Sequence, residues 1–259
     1  MNMNRSIAFV IHNLVLYETI KPLIEECEKK QIVCDIYVPH IEEDDWGDMS
    51  LDTYHYLQNN GIKVTLTSAV PDKAYKIAFY PYLPYYLEVK SDYKFRYQYG
   101  MAKPNWNLDT WSRNFDFIFC NGLYDSSVLA AYTQTEIVGM IKYAKFQRMK
   151  RETDKYNLLY LPTYGNESSI ELVMNHIEEI SDTFNMKVKL HHGTSFLEHD
   201  RVSLVKSHVP EVLDHKASLV HLIEEADVIL SDGSGAIFDA LFTDTPIVIF
   251  QHPQTESFE

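Results

Sequence analysis

Short apolar, β-branched runs alternate with helix-patterned segments along most of this chain, and that alternation leaves few folds open. SIAFVIH (6–12), IVCDIYV (32–38), IKVTLT (62–67), KIAFYPY (76–82), FDFIFCN (115–121) and TEIVGM (135–140) read as strands. They are mostly apolar at successive positions, as strands covered on both faces of a parallel sheet must be. Between the first two, Ile20, Leu23, Ile24 and Cys27 recur at helical spacing, with Pro22 tolerable only in a first turn; the segment reads as a βαβ unit. After a charged stretch, YAKFQRMKRETDKYN (143–157), the pattern restarts. It runs strand LLYLPTY, a helix over about 167–184, strand KVKLHH, helix SLVHLIEEA, strand DVILSD, helix AIFDALF and strand PIVIF. Alternation on both sides of a polar connector predicts two doubly wound α/β halves, residues 1–148 and 149–259, with parallel sheets.

Composition narrows the ligands. A net charge of -14 argues against binding nucleic acid or anionic lipid through the overall field, so an anionic ligand must be held by local design. Cys27, Cys34 and Cys120 are an odd number at no metal-ligand spacing, which suits a reducing compartment and small core residues. No apolar run approaches the roughly 18 residues of a membrane span, and MNMNRSIAFVIHN turns polar too soon for a signal peptide. A cytoplasmic protein is expected.

Ligands of open parallel sheets bind beyond the carboxyl ends of the strands. Three segments place polar residues there. SDGSG (231–235) ends an apolar run and precedes a helix; Gly233 and Gly235 allow positive φ and a close ligand approach, and Ser234 is positioned to cap the helix. Amides in such a turn suit a phosphate, although a tight capped connection without ligand fits the motif equally well. No Lys follows the glycines, which excludes a Walker loop, and the spacing is not that of a dinucleotide fingerprint. YLPTYGNESSIE (160–171) brings Thr163, Gly165, Ser168 and Ser169 to the same edge, and KVKLHHGTSF (187–196) brings His191, His192 and Gly193. The tyrosine-rich segment 75–100 suits cross-strand packing better than an acceptor surface, and Lys90, Lys94 and Arg96 suit a solvated charged face better than a local anionic grip. The basic run YAKFQRMKR (143–151) suits an interdomain linker better than a membrane-surface helix.

The order YLPTYGNESSIE, KLHHGTSF, ADVILSDGSGAIFDALFTDTPIVIF resembles the C-terminal half of the CDP-glycerol glycerophosphotransferase family of teichoic acid and capsule polymer synthesis. Pro162 and Thr163 match one family strand end, Lys189 and His191 a second, and Asp227, Asp232, Ser234, Phe238, Asp239 and Pro246 the third segment. The likeness continues more weakly through YQYGMAKPNW (97–106) and FDFIFCNGLYDSSVL. It implies two Rossmann-like domains of the GT-B type, the second nucleotide-binding and short at its C-terminus. The implied activity moves a glycerol-phosphate or related polyol-phosphate group from a CDP-activated donor to a cell-surface polymer or lipid-linked acceptor, with peripheral membrane contact. Carried over by position, Thr163, Gly165, Ser231, Gly233, Ser234, Gly235 and Lys103 contact the donor. His191 meets a phosphate oxygen or acts as acid, and Asp232 orients His191, holds a divalent cation or caps a helix. Tyr99 stands where the family carries a proposed catalytic base, His, and a phenol with a pKa of about 10 is a poor base near neutrality. His192 stands where the family has Pro. The SDGSG turn also resembles the phosphate turn of UDP-N-acetylglucosamine 2-epimerase, which keeps a nucleotide-sugar enzyme open, and Tyr99 with the short C-terminus keeps a non-catalytic homologue open.

Overall fold

The computed structural model describes residues 6–40, 47–82, 87–101, 107–149 and 154–251. The chain divides into two compact units, Met1–Ala144 and Lys145–Glu259. Each is a doubly wound parallel α/β sheet, the class the alternation predicts.

The first unit has strands β1 (Ser6–Val10), β2 (Val33–Pro39), β3 (Val64–Thr67), β4 (Tyr75–Tyr80), β5 (Ser91–Tyr97), β6 (Phe117–Cys120) and β7 (Gln134–Ile137). Their spatial order is β3-β2-β1-β4-β5-β6-β7, every pair parallel. Helices α1 (Leu14–Lys29), α2 (Gly47–Asn59) and α3 (Leu123–Leu129) belong to this unit. Successive residues of β1 feed opposite faces: Ala8 and Val10 pack with Tyr37, Tyr80 and Ile118, while Phe9 and Ile11 pack with Ile20, Ile24, Val38 and Phe79. Two covered faces explain why these strands read as unbroken apolar runs.

Two local expectations are corrected. Helix α1 starts at Leu14, where Asn13 Oδ1 accepts the Leu16 amide at 2.9 Å, so Pro22 lies inside the helix rather than in its first turn. An interior proline costs about 3 kcal/mol. Burial of Leu14, Leu16, Ile20 and Ile24, at about 1.5–3 kcal/mol per side chain, outweighs it. The segment SDYKFRY, polar at half its positions, is the strand β5 between β4 and β6. Its Arg96 is fully buried rather than a surface grip: the guanidinium donates to Pro81 O at 3.2 Å, Asn107 O at 2.8 Å and Ser112 Oγ at 3.0 Å, and covers the Trp111 ring. Burial lowers its pKa to about 10, which leaves it charged at neutrality.

The second unit has strands β8 (Tyr156–Leu161), β9 (Phe184–Lys189), β10 (Val212–Leu213), β11 (Val228–Ser231) and β12 (Ile247–Ile249), ordered β10-β9-β8-β11-β12 and all parallel. Its helices are α4 (Ile170–Met174), α5 (Ile177–Thr183), α6 (His192–Leu197), α7 (His199–His208), α8 (Leu219–Glu225) and α9 (Ala236–Phe242). The helix predicted over 167–184 is two short ones parted at Asn175 and His176, both weak helix formers, and Phe184 already opens β9. The basic run is not a helix at 147–149. Met149 N donates to Glu224 O at 2.9 Å, and Arg148 Nη2 donates to Asp244 O at 2.8 Å and Thr245 Oγ1 at 2.9 Å, a cation beyond the C-terminus of α9.

In each sheet the chain winds outward first to one side and then to the other of its first strand. The strand order therefore reverses between β1 and β4 and between β8 and β11, and these are the two topological switch points.

Candidate functional site

The loops after β8, β9 and β11 meet at the switch point of the second sheet. Extending the parallel registers beyond the strand ends, from Tyr160 against Val188 and Ser231 against Leu161, sets His191, Thr163 and Gly233 side by side. These are three of the residues expected at the site.

Asp232 holds that edge together from beneath. Fully buried, it accepts the Thr163 amide at 2.8 Å on Oδ1, and the Ser169 amide at 3.0 Å and hydroxyl at 2.8 Å on Oδ2. With its oxygens accepting from three protein donors, Asp232 is a positioning residue, and none of those donors is His191. Ser231 is likewise turned inward: its hydroxyl donates to Leu161 O at 2.7 Å and it is fully buried, so it ties β11 to β8 instead of facing a ligand.

Gly165 is the glycine of the site with a left-handed backbone, φ +80°. Its amide donates to Glu198 Oε1 at 3.0 Å and its carbonyl accepts Arg201 Nη1 at 2.7 Å. Glu198 also accepts Thr194 Oγ1 at 2.9 Å, and so clamps the loop after β8 to α6. Glu198, the N-cap of α7, and Arg201 within it belong to no recognisable motif, and sequence reasoning missed them.

His191 is half-buried and caps α6. The Gly193 amide donates to its Nδ1 at 3.0 Å, which fixes the hydrogen of the neutral ring on Nε2 and makes that nitrogen a donor. The ring stacks on Tyr164, centroids 4.7 Å apart at 16°, and His192 lies 4.0 Å from it on centroids. A Cβ at Gly193 would stand 2.7 Å from the Tyr164 ring, so the stack requires glycine there.

In the SDGSG turn, neither glycine uses positive φ; Gly235 sits at φ −57°, in the right-handed region. Ser234 Oγ accepts the Ala236 amide at 3.3 Å, a capping contact from one residue before the N-cap. Among the described residues, no protein group accepts from the amides of Gly233, Ser234 or Gly235. Glu167 faces the turn, its Oε2 3.5 Å from where a Gly233 Cβ would be.

Of the expected residues in the first unit, Lys103 lies outside the described residues. Tyr99 is half-buried at the end of β5, where burial pushes its phenol above the ordinary value against the opposing pull of Arg96. That direction makes it a poorer base near neutrality than a free phenol. Among the described residues no group of three or more His, Cys, Asp and Glu is arranged to hold a metal ion, and no helix is long and apolar enough to cross a membrane.

No family model matches the sequence, and no curated protein sequence matches it. Solved structures do. The chain is similar to the wall teichoic acid polymerase TagF, in a variant soaked with CDPG, at 12% identity and TM-score 0.61 over 95% of this chain and 70% of that one. It is similar to a putative UDP-N-acetylglucosamine 2-epimerase from Listeria monocytogenes at 10% identity and TM-score 0.58, covering 97% and 80%. The UDP-GlcNAc 2-epimerase of Neisseria meningitidis bound to UDP-GlcNAc gives 13%, 0.52, 94% and 82%. At such identities the likeness is one of fold: an α/β chain of two Rossmann-like units of the GT-B-like class.

Proposed function

We propose that this chain is a transferase whose second unit binds a nucleotide-activated donor, and that the group moved is a glycerol-phosphate or related polyol-phosphate carried by CDP. The observation that carries the reading is the row of amides at Gly233, Ser234 and Gly235 from which no described protein group accepts, set beside Thr163 at a switch point, with His191 next in the row and buried Asp232 beneath. Phosphoryl transfer asks for positioning and charge neutralisation more than covalent chemistry by the protein. The turn's amides offer hydrogen bonds to a diphosphate, and His191 Nε2–H offers one to a phosphate oxygen or to the departing nucleotide. Glu167 opposes the ligand's charge and lowers affinity. The fold shared with TagF supports a CDP-linked donor. The acceptor in this reading is a cell-surface polymer or lipid-linked chain, met by peripheral membrane contact.

A second reading has its own support in the similarity to two 2-epimerase structures: the same row would hold the diphosphate of a UDP-sugar. Titration calorimetry with CDP-glycerol, UDP-N-acetylglucosamine and CMP separates the two. Tighter binding of CDP-glycerol than of the UDP-sugar, with CMP released when a polyol-phosphate acceptor is added, is the expected result. Preference for the UDP-sugar supports the second reading. Donor binding without any nucleotide release makes the chain a binder.

A further inference from the structure

Tyr164 sits between two pinned amides. The Thr163 amide donates to Asp232 Oδ1 at 2.8 Å and the Gly165 amide to Glu198 Oε1 at 3.0 Å, so each chain neighbour of the tyrosine is bound to a carboxylate. Its ring lies nearly flat on that of His191. The far side of the stack leads back to the same glutamate. His191 caps α6, and Thr194, in the first turn of α6, donates its hydroxyl to Glu198 Oε2 at 2.9 Å. The Glu198 backbone joins α6 to α7: its amide donates to Thr194 O at 3.0 Å and its carbonyl accepts the Val202 amide at 3.1 Å. A closed circuit of contacts therefore runs from Gly165 through Tyr164, His191 and Thr194 to Glu198. Thr194 is fully buried and the Glu198 side chain is 19% exposed, so water competes little for these bonds. Arg201 fixes the carboxylate in turn. Its Nη1 donates to Glu198 Oε1 at 2.6 Å and to Gly165 O at 2.7 Å, while its Nε donates to Glu171 Oε1 at 2.6 Å.

We propose that Glu198 is a positioning residue: it holds His191 against Tyr164 and so sets the affinity of this edge for the phosphates of a nucleotide, without touching them. The assignment rests on the donor-site reading above. An imidazole turns about two side-chain torsions, and each turn presents a different nitrogen or a C–H to the same place. Two contacts select one arrangement here. The Gly193 amide on Nδ1 fixes which nitrogen lies toward α6, and the Tyr164 ring fixes the plane. Both contacts depend on the spacing between α6 and the loop after β8, and the Glu198 carboxylate bonds the two together. Asp232 anchors the same loop from the end of β11 instead. Loss of Glu198 deprives the Gly165 amide and the Thr194 hydroxyl of their acceptor and lets the loop drift from α6. A hydrogen-bond donor binds charge best when the protein has already oriented it, because the ligand then does not have to.

The test is calorimetry on the full chain with CMP, CDP-glycerol and inorganic pyrophosphate, read beside the NMR shifts of the His191 ring protons. Glu198→Ala is expected to weaken binding of CMP and CDP-glycerol about tenfold, the scale of one hydrogen bond to a charged group, and to remove the ring-current shift that Tyr164 imposes on His191. Glu198→Gln is expected to stay within about threefold of wild type: its carbonyl still accepts the Gly165 amide, and its NH2 donates to the Thr194 hydroxyl, which then accepts. Thr194→Val cuts the α6 link alone and is expected to weaken binding about threefold; it carries the test if Glu198→Ala does not fold. Ile177→Ala deletes a buried side chain of α5 that makes none of these contacts, and is expected to lower Tm while leaving affinity within about twofold. Unchanged affinity in Glu198→Ala and Thr194→Val, or an equal loss in Glu198→Gln or Ile177→Ala, overturns the proposal. So does loss of the ring shift with no change in affinity. A wild type that binds pyrophosphate but neither nucleotide sinks the donor reading alone, and the same variants then decide the role of Glu198 on pyrophosphate. A wild type that binds none of the three overturns both.

Discussion

Asp232→Asn isolates what the buried carboxylate does. Three donors converge on it, and full burial leaves no water to replace a lost acceptor. An asparagine keeps one oxygen. Turned toward the two Ser169 donors, it sets its own NH2 against the Thr163 amide, so one charge-assisted bond worth about 1.5–3 kcal/mol is lost and a buried donor is left unmet. Relief from burying a charge offsets part of that loss, which brings the net to about 2–4 kcal/mol. With a urea m-value of about 1–3 kcal/mol/M, the unfolding midpoint of the second unit falls by about 1–2 M. Urea titration by far-ultraviolet circular dichroism, with hydrogen exchange read at Thr163 and Ser169, measures it. A midpoint within about 0.3 M of wild type on the same m-value, with both amides still protected, would refute the anchoring role and return the carboxylate to the list of groups available for chemistry.

Three other substitutions probe the remaining contacts. Gly193→Ala drives a methyl into the Tyr164 ring and unstacks it from His191, at about 1–3 kcal/mol of overpacking; a lower Tm and a changed near-ultraviolet spectrum are expected, and an unchanged spectrum contradicts the stack. Glu167→Gln removes the charge facing the SDGSG turn and is expected to tighten nucleotide binding about two- to fivefold, the scale of one screened charge, read by calorimetry. Weaker binding would mean that Glu167 helps to hold the donor. Arg96→Met strands the acceptors at Pro81, Asn107 and Ser112 but also removes a buried cation, for a net loss of about 1–3 kcal/mol with faster exchange around 107–112. Unaltered exchange there denies Arg96 its bracing role.

The strands of both sheets were legible in proportion to their burial. β1, β4, β8 and β11 are covered on both faces and read as apolar runs; β5 was hidden because Ser91, Asp92 and Lys94 break the pattern while Phe95 and Tyr97 pack inside. Helix α7 carries little apolar periodicity to find, having Val205 alone of its residues fully inside. The site divides the same way. Thr163, Gly165, His191 and Gly233 were visible because they end strand patterns, whereas the clamp from Glu198 and Arg201 depends on tertiary contacts across 33 and 36 residues that no local spacing encodes. Sequence also overstated Ser231 and Asp232: a polar residue at a strand end looks the same whether it faces a ligand or a neighbouring loop, and only burial tells them apart.

That ambiguity is resolved alike at six strand ends around the two switch points, though not at β2, β3 or β6, where His40, Ser68 and Asn121 directly after the strand are not buried. One residue beyond β1, β4, β5, β8, β9 and β11 come Ile11, Pro81, Gln98, Pro162, Leu190 and Asp232, all buried; two residues beyond come His12, Tyr82, Tyr99, Thr163, His191 and Gly233, all half-buried. The cause is the parallel ladder. Strands that pair in register end nearly in step, so the first residue past each end is still roofed by its neighbours and the second clears them. Buried positions can hold polar groups only where protein donors or acceptors meet them, as at Asp232, or where one is still owed among the described residues, as at the Gln98 amide nitrogen. Groups that touch ligand must come from the second position onward. On that physical ground His191, two residues beyond β9, is placed to touch ligand, and His191→Gln should leave the fold standing while removing chemistry from that row. Thermal unfolding lowered by less than in Asp232→Asn, since only the α6 cap and the Tyr164 stack are lost, paired with a weakened response to nucleotide, is the expected outcome. A drop in stability as large as that of Asp232→Asn would show that the second position is structural after all.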